Sequence, residues 1–321
     1  MRNVLITGGA GFIGSNLAKY FVKNEYNVQI LDNLFRGRIE NIESILKDQN
    51  NSFYNLDLAI NDSIEIVQNI LDEFRPDFIL HYAAINGTQY FYDLPYEVSV
   101  TNSLTTYHLL EGLKLVLEGD STYRPKFILA STSEAYNEPF NIPTNENDLT
   151  YTRITQLRDS YLTAKLMSEF YVKTFAHKYD IPFLIFRIFN VYGPNMIGSK
   201  YGQVIPEFIQ RIKEGEYPLK VFGNGSHTRC FTYIDDHVDI SYRVIISDTV
   251  NEIINIGNDD ETSIKELAIL ILDKMGHTPK ILYLKERDGD HKRRVPDISK
   301  LKSIVGDYKF RSLNSGISKL I

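Results

Sequence analysis

The chain has 321 residues, 43% hydrophobic and 24% charged, which excludes a disordered chain, a collagen-like repeat and a disulfide-stapled miniprotein. Its 35 lysines and arginines against 41 aspartates and glutamates give a net charge of −6, without the basic field of a nucleic-acid binder. A single cysteine, Cys230, allows no intramolecular disulfide and no all-cysteine metal site, and it suits a reducing cytoplasm.

In chain order, short β-branched runs alternate with helical patterns. Residues 4–7 read as a buried strand. Residues 12–23 read as a helix, with Ile13, Leu17, Tyr20 and Phe21 at helical spacing. Further strands are predicted over 28–32, 53–56, 78–83 and 126–131, separated by amphipathic segments at 63–74 and 104–117. A helix over 161–179 stops before Ile181-Pro182, and a strand over 183–188 follows. Alternating β and α units imply an α/β fold: a doubly wound parallel sheet of Rossmann type, covered on both faces. After Asn190, the groups Gly193-Pro194, Gly198, Gly202 and Gly223-Asn224-Gly225 break the alternation. The reading is a Rossmann domain over 1–187, with 231–250 returning to it, and a smaller α+β C-terminal substrate domain over 188–230 and 251–321.

No stretch approaches the ~18 apolar residues of a membrane span. The N-terminal apolar run is too short for a signal peptide. His177, His227, His237, His277 and His291 show no metal-ligand spacing, so no metal is expected. His81, at a strand end, reads as structural.

Thr7-Gly8-Gly9-Ala10-Gly11-Phe12-Ile13-Gly14 follows the first strand. It contains G-x-G-x-x-G at Gly9, Gly11 and Gly14, and also fits the wider spacing Gly8, Gly11 and Gly14. Missing Cβ atoms permit a tight turn and let the backbone approach a pyrophosphate, which then faces a helix N-terminus. The strand before it and the helix after it are the context that gives this motif meaning. Asp32 ends the second strand, where a carboxylate accepts hydrogen bonds from a ribose diol and repels a 2′-phosphate. That favours NAD, while Arg36 and Arg38 nearby keep NADP open.

Tyr161 and Lys165 form Y-x-x-x-K, which puts both on one helix face. With 21 tyrosines in the chain, about one such pair is expected by chance, so position matters more than pattern. The pair opens the helix after the strand ending Ser131-Thr132-Ser133-Glu134, at the sheet edge where parallel sheets bind ligands. A base is needed that takes the proton of a sugar hydroxyl while hydride leaves the same carbon. Lowering a tyrosine from about 10 to near 7 needs roughly 4 kcal/mol of preference for the phenolate. A neighbouring ammonium and a positively charged nicotinamide are the expected sources. Thr132 can bond to the reacting hydroxyl.

With these residues in order, the chain resembles the extended short-chain dehydrogenase/reductase family of NAD-dependent nucleotide-sugar epimerases, dehydratases and decarboxylases. The resemblance spans nearly the whole length. It rests on residues 7–14, His81-Tyr82-Ala83-Ala84, Asn102, residues 131–136, Tyr161/Lys165, residues 187–194 and residues 229–236. It implies that Gly8, Gly11, Phe12, Ile13, Gly14, Asp32 and Asn33 hold the dinucleotide. Asp57 and Leu58 would lie against the adenine, and Ala83 would line the cofactor cleft. Thr132, Tyr161 and Lys165 would be catalytic, with Glu134 as a further acid–base or carboxylate-positioning group. Asn190, Arg229 and Arg294 would contact a substrate diphosphate, as arginine forks do. Thr88, Ser133 and Arg158 would face the sugar. The family also implies a homodimer, for which Leu109, Leu110, Leu113, Leu166, Phe170 and Val172 are compatible apolar residues.

In this family NAD oxidises the sugar at carbon 4, and the outcomes then diverge. The 4,6-dehydratases resemble one another in an Asp-Glu pair after the threonine; here it is Ser133-Glu134, which lacks the acid. Thr-Ser-Glu-Ala-Tyr, Tyr90-Phe91-Tyr92, Arg158, residues 187–196 and residues 293–299 are similar to uronate decarboxylases. Asn137 stands where glycine is usual, and Ile85-Asn86-Gly87-Thr88 departs from the decarboxylase pattern. Decarboxylation is the leading expectation, with 4-epimerisation and net 4-dehydrogenation as alternatives. Non-catalytic sensors in the family lack the tyrosine or lysine, and this chain has both.

Overall fold

The computed structural model of the protein describes residues 2–198, 202–286 and 291–321. The first part of the chain runs β1 (Asn3–Thr7), α1 (Phe12–Lys23), β2 (Asn27–Asp32), β3 (Ser52–Asn55), α2 (Ser63–Phe74) and β4 (Phe78–His81). It continues through α3 (Thr88–Asp93), α4 (Pro95–Gly119), β5 (Lys126–Thr132), α5 (Ser160–Tyr179) and β6 (Phe183–Ile188). The chain then makes an excursion through β7 (Val191–Tyr192), α6 (Val204–Lys213), β8 (Leu219–Phe222) and β9 (Thr228–Cys230). It returns by β10 (Thr232–Tyr233), α7 (Ile234–Ile246) and β11 (Glu252–Ile256).

The central sheet has seven strands in the order β11-β6-β5-β4-β1-β2-β3. Every pairing in it is parallel. Successive side chains of a strand point to opposite faces, and the core follows that alternation. Val4 and Ile6, Phe78 and Leu80, and Leu184 and Phe186 enter one cluster. Leu5, Ile79, Phe127, Leu129, Phe183 and Ile185 enter the cluster on the other face. Helices cover both faces, as a parallel sheet requires. Helix α1 offers Leu17, Ala18 and Phe21 to the first cluster and packs on α7. Helix α4 lies between α2 and α5 on the second.

The second lobe is built from short strands. β8 pairs in parallel with β13 (Ile281–Leu284). β9 is flanked by β12 (Glu261–Ser263), antiparallel, and β14 (Arg293–Arg294), parallel. Helix α8 (Ile264–Lys274) starts at a capping box in which Ser263 and Glu266 satisfy each other's exposed backbone donors. Helices α9 (Ser299–Val305) and α10 (Leu313–Ile317) close the described chain.

Most strand and helix bounds fall within two residues of the sequence reading, and two differ by more. The strand Glu252–Ile256 belongs to the large sheet, beyond the expected return over 231–250, because it pairs with β6 and buries Ile254 and Ile256 in the first cluster. Helix α4 starts at Pro95 rather than 104, with proline in its first turn, where the missing N–H is no loss. Its early turns bury Asn102, Thr105 and Thr106, so apolar periodicity is silent there. The residues expected at a dimer interface also divide. Leu109, Leu110, Leu113 and Val172 are core, Leu166 is half-buried, and Phe170 is 65% exposed.

Candidate active site

A single cleft runs across the C-terminal ends of the strands. It is lined by Gly8, Gly11, Phe12, Ile13, Gly14, Asp32, Asn33, Asp57, Leu58 and Ala83 at one end. Thr88, Thr132, Ser133, Glu134, Tyr161, Lys165, Asn190 and Arg294 line the other. It sits where β1 and β4 part and their loops leave toward opposite faces, the usual ligand crevice of such sheets.

The first end is shaped by absent side chains. Gly8 has φ +68°, and a Cβ on it would lie 2.7 Å from the Ala83 nitrogen. A Cβ on Gly14 would run into the Gly8 carbonyl oxygen. Gly11 caps α1 without any side-chain bond, so the first N–H groups of the helix face the cleft through Phe12, Ile13 and Gly14. These unpaired donors and the helix dipole make an anion cradle. At the end of β2, Asp32 accepts from the Ala10 and Leu34 N–H groups at 3.0 and 2.8 Å. Burial pushes its carboxyl up, and those backbone donors oppose the shift. Arg36 sits 5.7 Å over the ring of Tyr90. The donor set fits a dinucleotide: pyrophosphate at the helix, and a ribose diol at a carboxylate.

Tyr161 occupies the first turn of α5 and is 6% exposed. Phe91 stacks on it, 4.8 Å between centroids and 8° from parallel. The protein's own groups do not lower this phenol. Burial pushes it up, Glu134 adds to the rise, and Thr132 and Arg36 pull the other way without cancelling it. The expected role of the lysine as an immediate neighbour of the phenolate is also modified. Lys165 Nζ donates to the Ala130 carbonyl at 2.9 Å and lies 6.0 Å from the Tyr161 ring centroid. Burial lowers its own value to about 8, with Glu169 opposing.

Glu134 sits on a short 3-10 turn, Ser133–Tyr136, whose start is fixed by the Glu134 N–H donating to Thr132 Oγ1 at 3.2 Å. Arg158 donates to its carboxylate at 2.7 and 3.3 Å. Arg294 reaches it at 3.1 Å and His291 at 3.5 Å. Burial pushes the carboxyl up, but Arg294, Arg158 and His291 together hold it well below the usual carboxylate range. The partners of Glu134 are thus Arg158, Arg294 and His291. Arg158 is buried behind Glu134 rather than in the cleft wall. Arg229 is registered beside Arg294 but lies off the cleft, where its Nη1 donates to the carbonyl of Thr228 at 2.8 Å.

The run Tyr90-Phe91-Tyr92 stands out in the sequence, but only the fold of α3 lays Phe91 on Tyr161. His291 has no metal-ligand spacing and gives no other signal in the sequence, yet it is fully buried between Glu134 and Glu138. His81 is a structural residue: its ring bridges Thr7 and Thr106 at 2.7 and 2.9 Å, and burial holds it neutral. Among the described residues, no cluster of His, Cys, Asp or Glu could hold a metal ion, and no helix is long and apolar enough to cross a membrane.

Comparison with known proteins agrees with this geometry. The profile of the NAD dependent epimerase/dehydratase family matches residues 4–257. A UDP-N-acetyl-alpha-D-glucosaminuronate decarboxylase of Bacillus cytotoxicus is 32% identical, over 100% of this chain and 97% of its own. UDP-glucuronic acid decarboxylase 1 of Xenopus tropicalis is 32% identical, over 100% of this chain and 71% of its own. The crystal structure of UDP-glucuronic acid 4-epimerase from Bacillus cereus, with UDP-glucuronic acid and NAD, superposes with a TM-score of 0.86. It shares 29% identity over 99% of this chain and 97% of that one. The anion cradle, the carboxylate at the end of β2 and the Tyr161/Lys165 pair carry the same conclusion: this chain belongs to the NAD dependent epimerase/dehydratase family, is an enzyme of that family, and uses NAD.

Proposed function

We propose that this enzyme oxidises a nucleotide-diphosphate uronate at carbon 4 and that its net reaction is decarboxylation. The observation that carries the reading is Glu134, held as an anion by Arg158 and Arg294 at the sugar end of the cleft, with Ser133 beside it in place of a second acid. A dehydration needs an acid there to protonate a leaving hydroxyl. Decarboxylation does not, because a β-keto acid loses CO2 once its carbonyl is formed.

NAD supplies the acceptor and donor of hydride. Tyr161 takes the proton of the 4-hydroxyl and returns it at the end of the cycle. Lys165 keeps a positive charge below Tyr161, and Thr132 holds the reacting oxygen. Loss of CO2 leaves an electron pair at carbon 5, delocalised onto the carbon-4 oxygen, where Thr132 and Tyr161 can donate hydrogen bonds. Carbon 5 then takes a proton, so uronate plus one proton becomes pentose plus CO2. In this reading Arg294 and Asn190 bind the diphosphate and Thr88 and Ser133 face the sugar; that all four line the cleft supports it.

The fit to a UDP-glucuronic acid 4-epimerase keeps one second reading, in which the 4-keto sugar turns over in the cleft and keeps its carboxylate. Mass spectrometry of products from UDP-glucuronate and UDP-N-acetylglucosaminuronate with NAD separates the two. Loss of CO2 supports the decarboxylase. A new isomer of unchanged mass selects the epimerase, and loss of water would overturn the argument from Ser133. We also propose a homodimer through α4 and α5, whose outer faces carry exposed Tyr96, Tyr107, Met167 and Phe170. Sedimentation should give twice the chain mass, and a concentration-independent monomer would refute it.

A further inference from the structure

Asn137 is fully buried and has φ +52° and ψ −123°, a backbone conformation open to glycine and strained for other residues. Its side chain shows what holds it there. Nδ2 donates to Asp159 Oδ2 at 2.9 Å and approaches the Tyr151 carbonyl at 3.4 Å. The amide cannot be reversed, because its oxygen would then face a carboxylate. Asp159 is itself fixed, receiving Arg153 through both carboxylate oxygens at 2.9 Å. It is the residue on which α5 starts, two before Tyr161. At the other end, the Asn137 N–H donates to the Glu134 carbonyl at 2.8 Å and closes the turn that follows Thr132. The amide therefore joins the turn that carries Glu134 and starts on Thr132 to the helix start carrying Tyr161, beside the Arg158–Glu134 pair that makes the same crossing.

We propose that Asn137 is a positioning residue that sets the phenol of Tyr161 against Thr132 through Asp159, and that its left-handed backbone is retained for that tie. The inference rests on Tyr161 being the base of the proposed reaction.

The test uses Asn137→Gly in the full chain with NAD bound. Glycine adopts this backbone freely and removes the side chain with its amide. The 13Cζ resonance of Tyr161, assigned with Tyr161→Phe, should shift and change its titration midpoint, although Glu134, Arg36 and Lys165 around it are unaltered. The melting temperature and NAD content should stay at parent values. With UDP-glucuronate as substrate, kcat should fall between about tenfold and about a hundredfold at unchanged KM. Asn137→Ala keeps the strained backbone without the amide; it should give the same resonance shift at a lower melting temperature. An unmoved resonance and titration would overturn the inference, and so would loss of fold in Asn137→Gly, which would make the residue scaffold. If Tyr161→Phe turns over normally, the reading of the base fails instead, and the resonance still decides the role of Asn137.

Discussion

The two ends of the cleft are built by different means. The heart of the cofactor end is local: glycines without Cβ atoms, a helix start without a side-chain cap, and a strand ending in aspartate, all within the first 32 residues. The sugar end turns on a buried cluster drawn from distant positions, Glu134 and Arg294 in the wall with Arg158 and His291 behind them, which meet only after both lobes have folded. A local design tolerates little change in shape. A dispersed one tolerates little change in charge, because each buried charge is balanced by partners far away in the chain.

The comparison can be broken first at Tyr161. Tyr161→Phe keeps the ring under Phe91 and removes the proton acceptor, so kcat should fall by about 10³-fold with NAD still bound; normal turnover would remove the chemistry from this end altogether. Next comes Glu134→Gln, which leaves Arg158 and Arg294 buried without their counter-charge and should destabilise the fold by about 3 kcal/mol at neutral pH. The parent's Glu134 ionises more readily folded than unfolded. Its contribution is therefore present above the ordinary carboxylate range and lost as pH falls through the folded value. Urea unfolding at pH 7 and in acid should show the gap between parent and variant closing. Gly14→Ala should act on the cofactor end alone, costing about 2 kcal/mol of strain and emptying the purified protein of NAD, without moving Glu134. Retention of NAD by that variant would show that the cradle is looser than its geometry implies.

The same contrast explains what was legible beforehand. The helices Phe12–Lys23 and Ser63–Phe74 and the strand Phe183–Ile188 have the bounds read from the sequence, because apolar period and breakers agree there. The glycine loop and Asp32 were legible because their spacing is local. The early turns of α4 were not, since they bury hydroxyls and an amide instead of a hydrophobic stripe. Arg294 and Arg229 look alike in sequence, and only the register of β14 on β9 and the packing over Glu134 part them. The balance at Tyr161 was not legible either: burial and Glu134 push the phenol up, against Thr132 and Arg36, and that sum depends on the packing of Phe91 and the turn after β5.

The place of β11 also bears on how the molecule can be made. The sheet receives its seventh strand from Glu252–Ile256, after the chain has already left for the second lobe and come back. During synthesis the edge of β6 stays open while more than sixty further residues emerge, including all of β7, α6, β8 and β9. An open parallel edge of Phe183–Ile188 is a template for wrong pairing. A ribosome delivering this chain therefore holds an unfinished nucleotide-binding sheet until the excursion is complete, and a fragment cut at the apparent end of the first domain would carry that edge permanently.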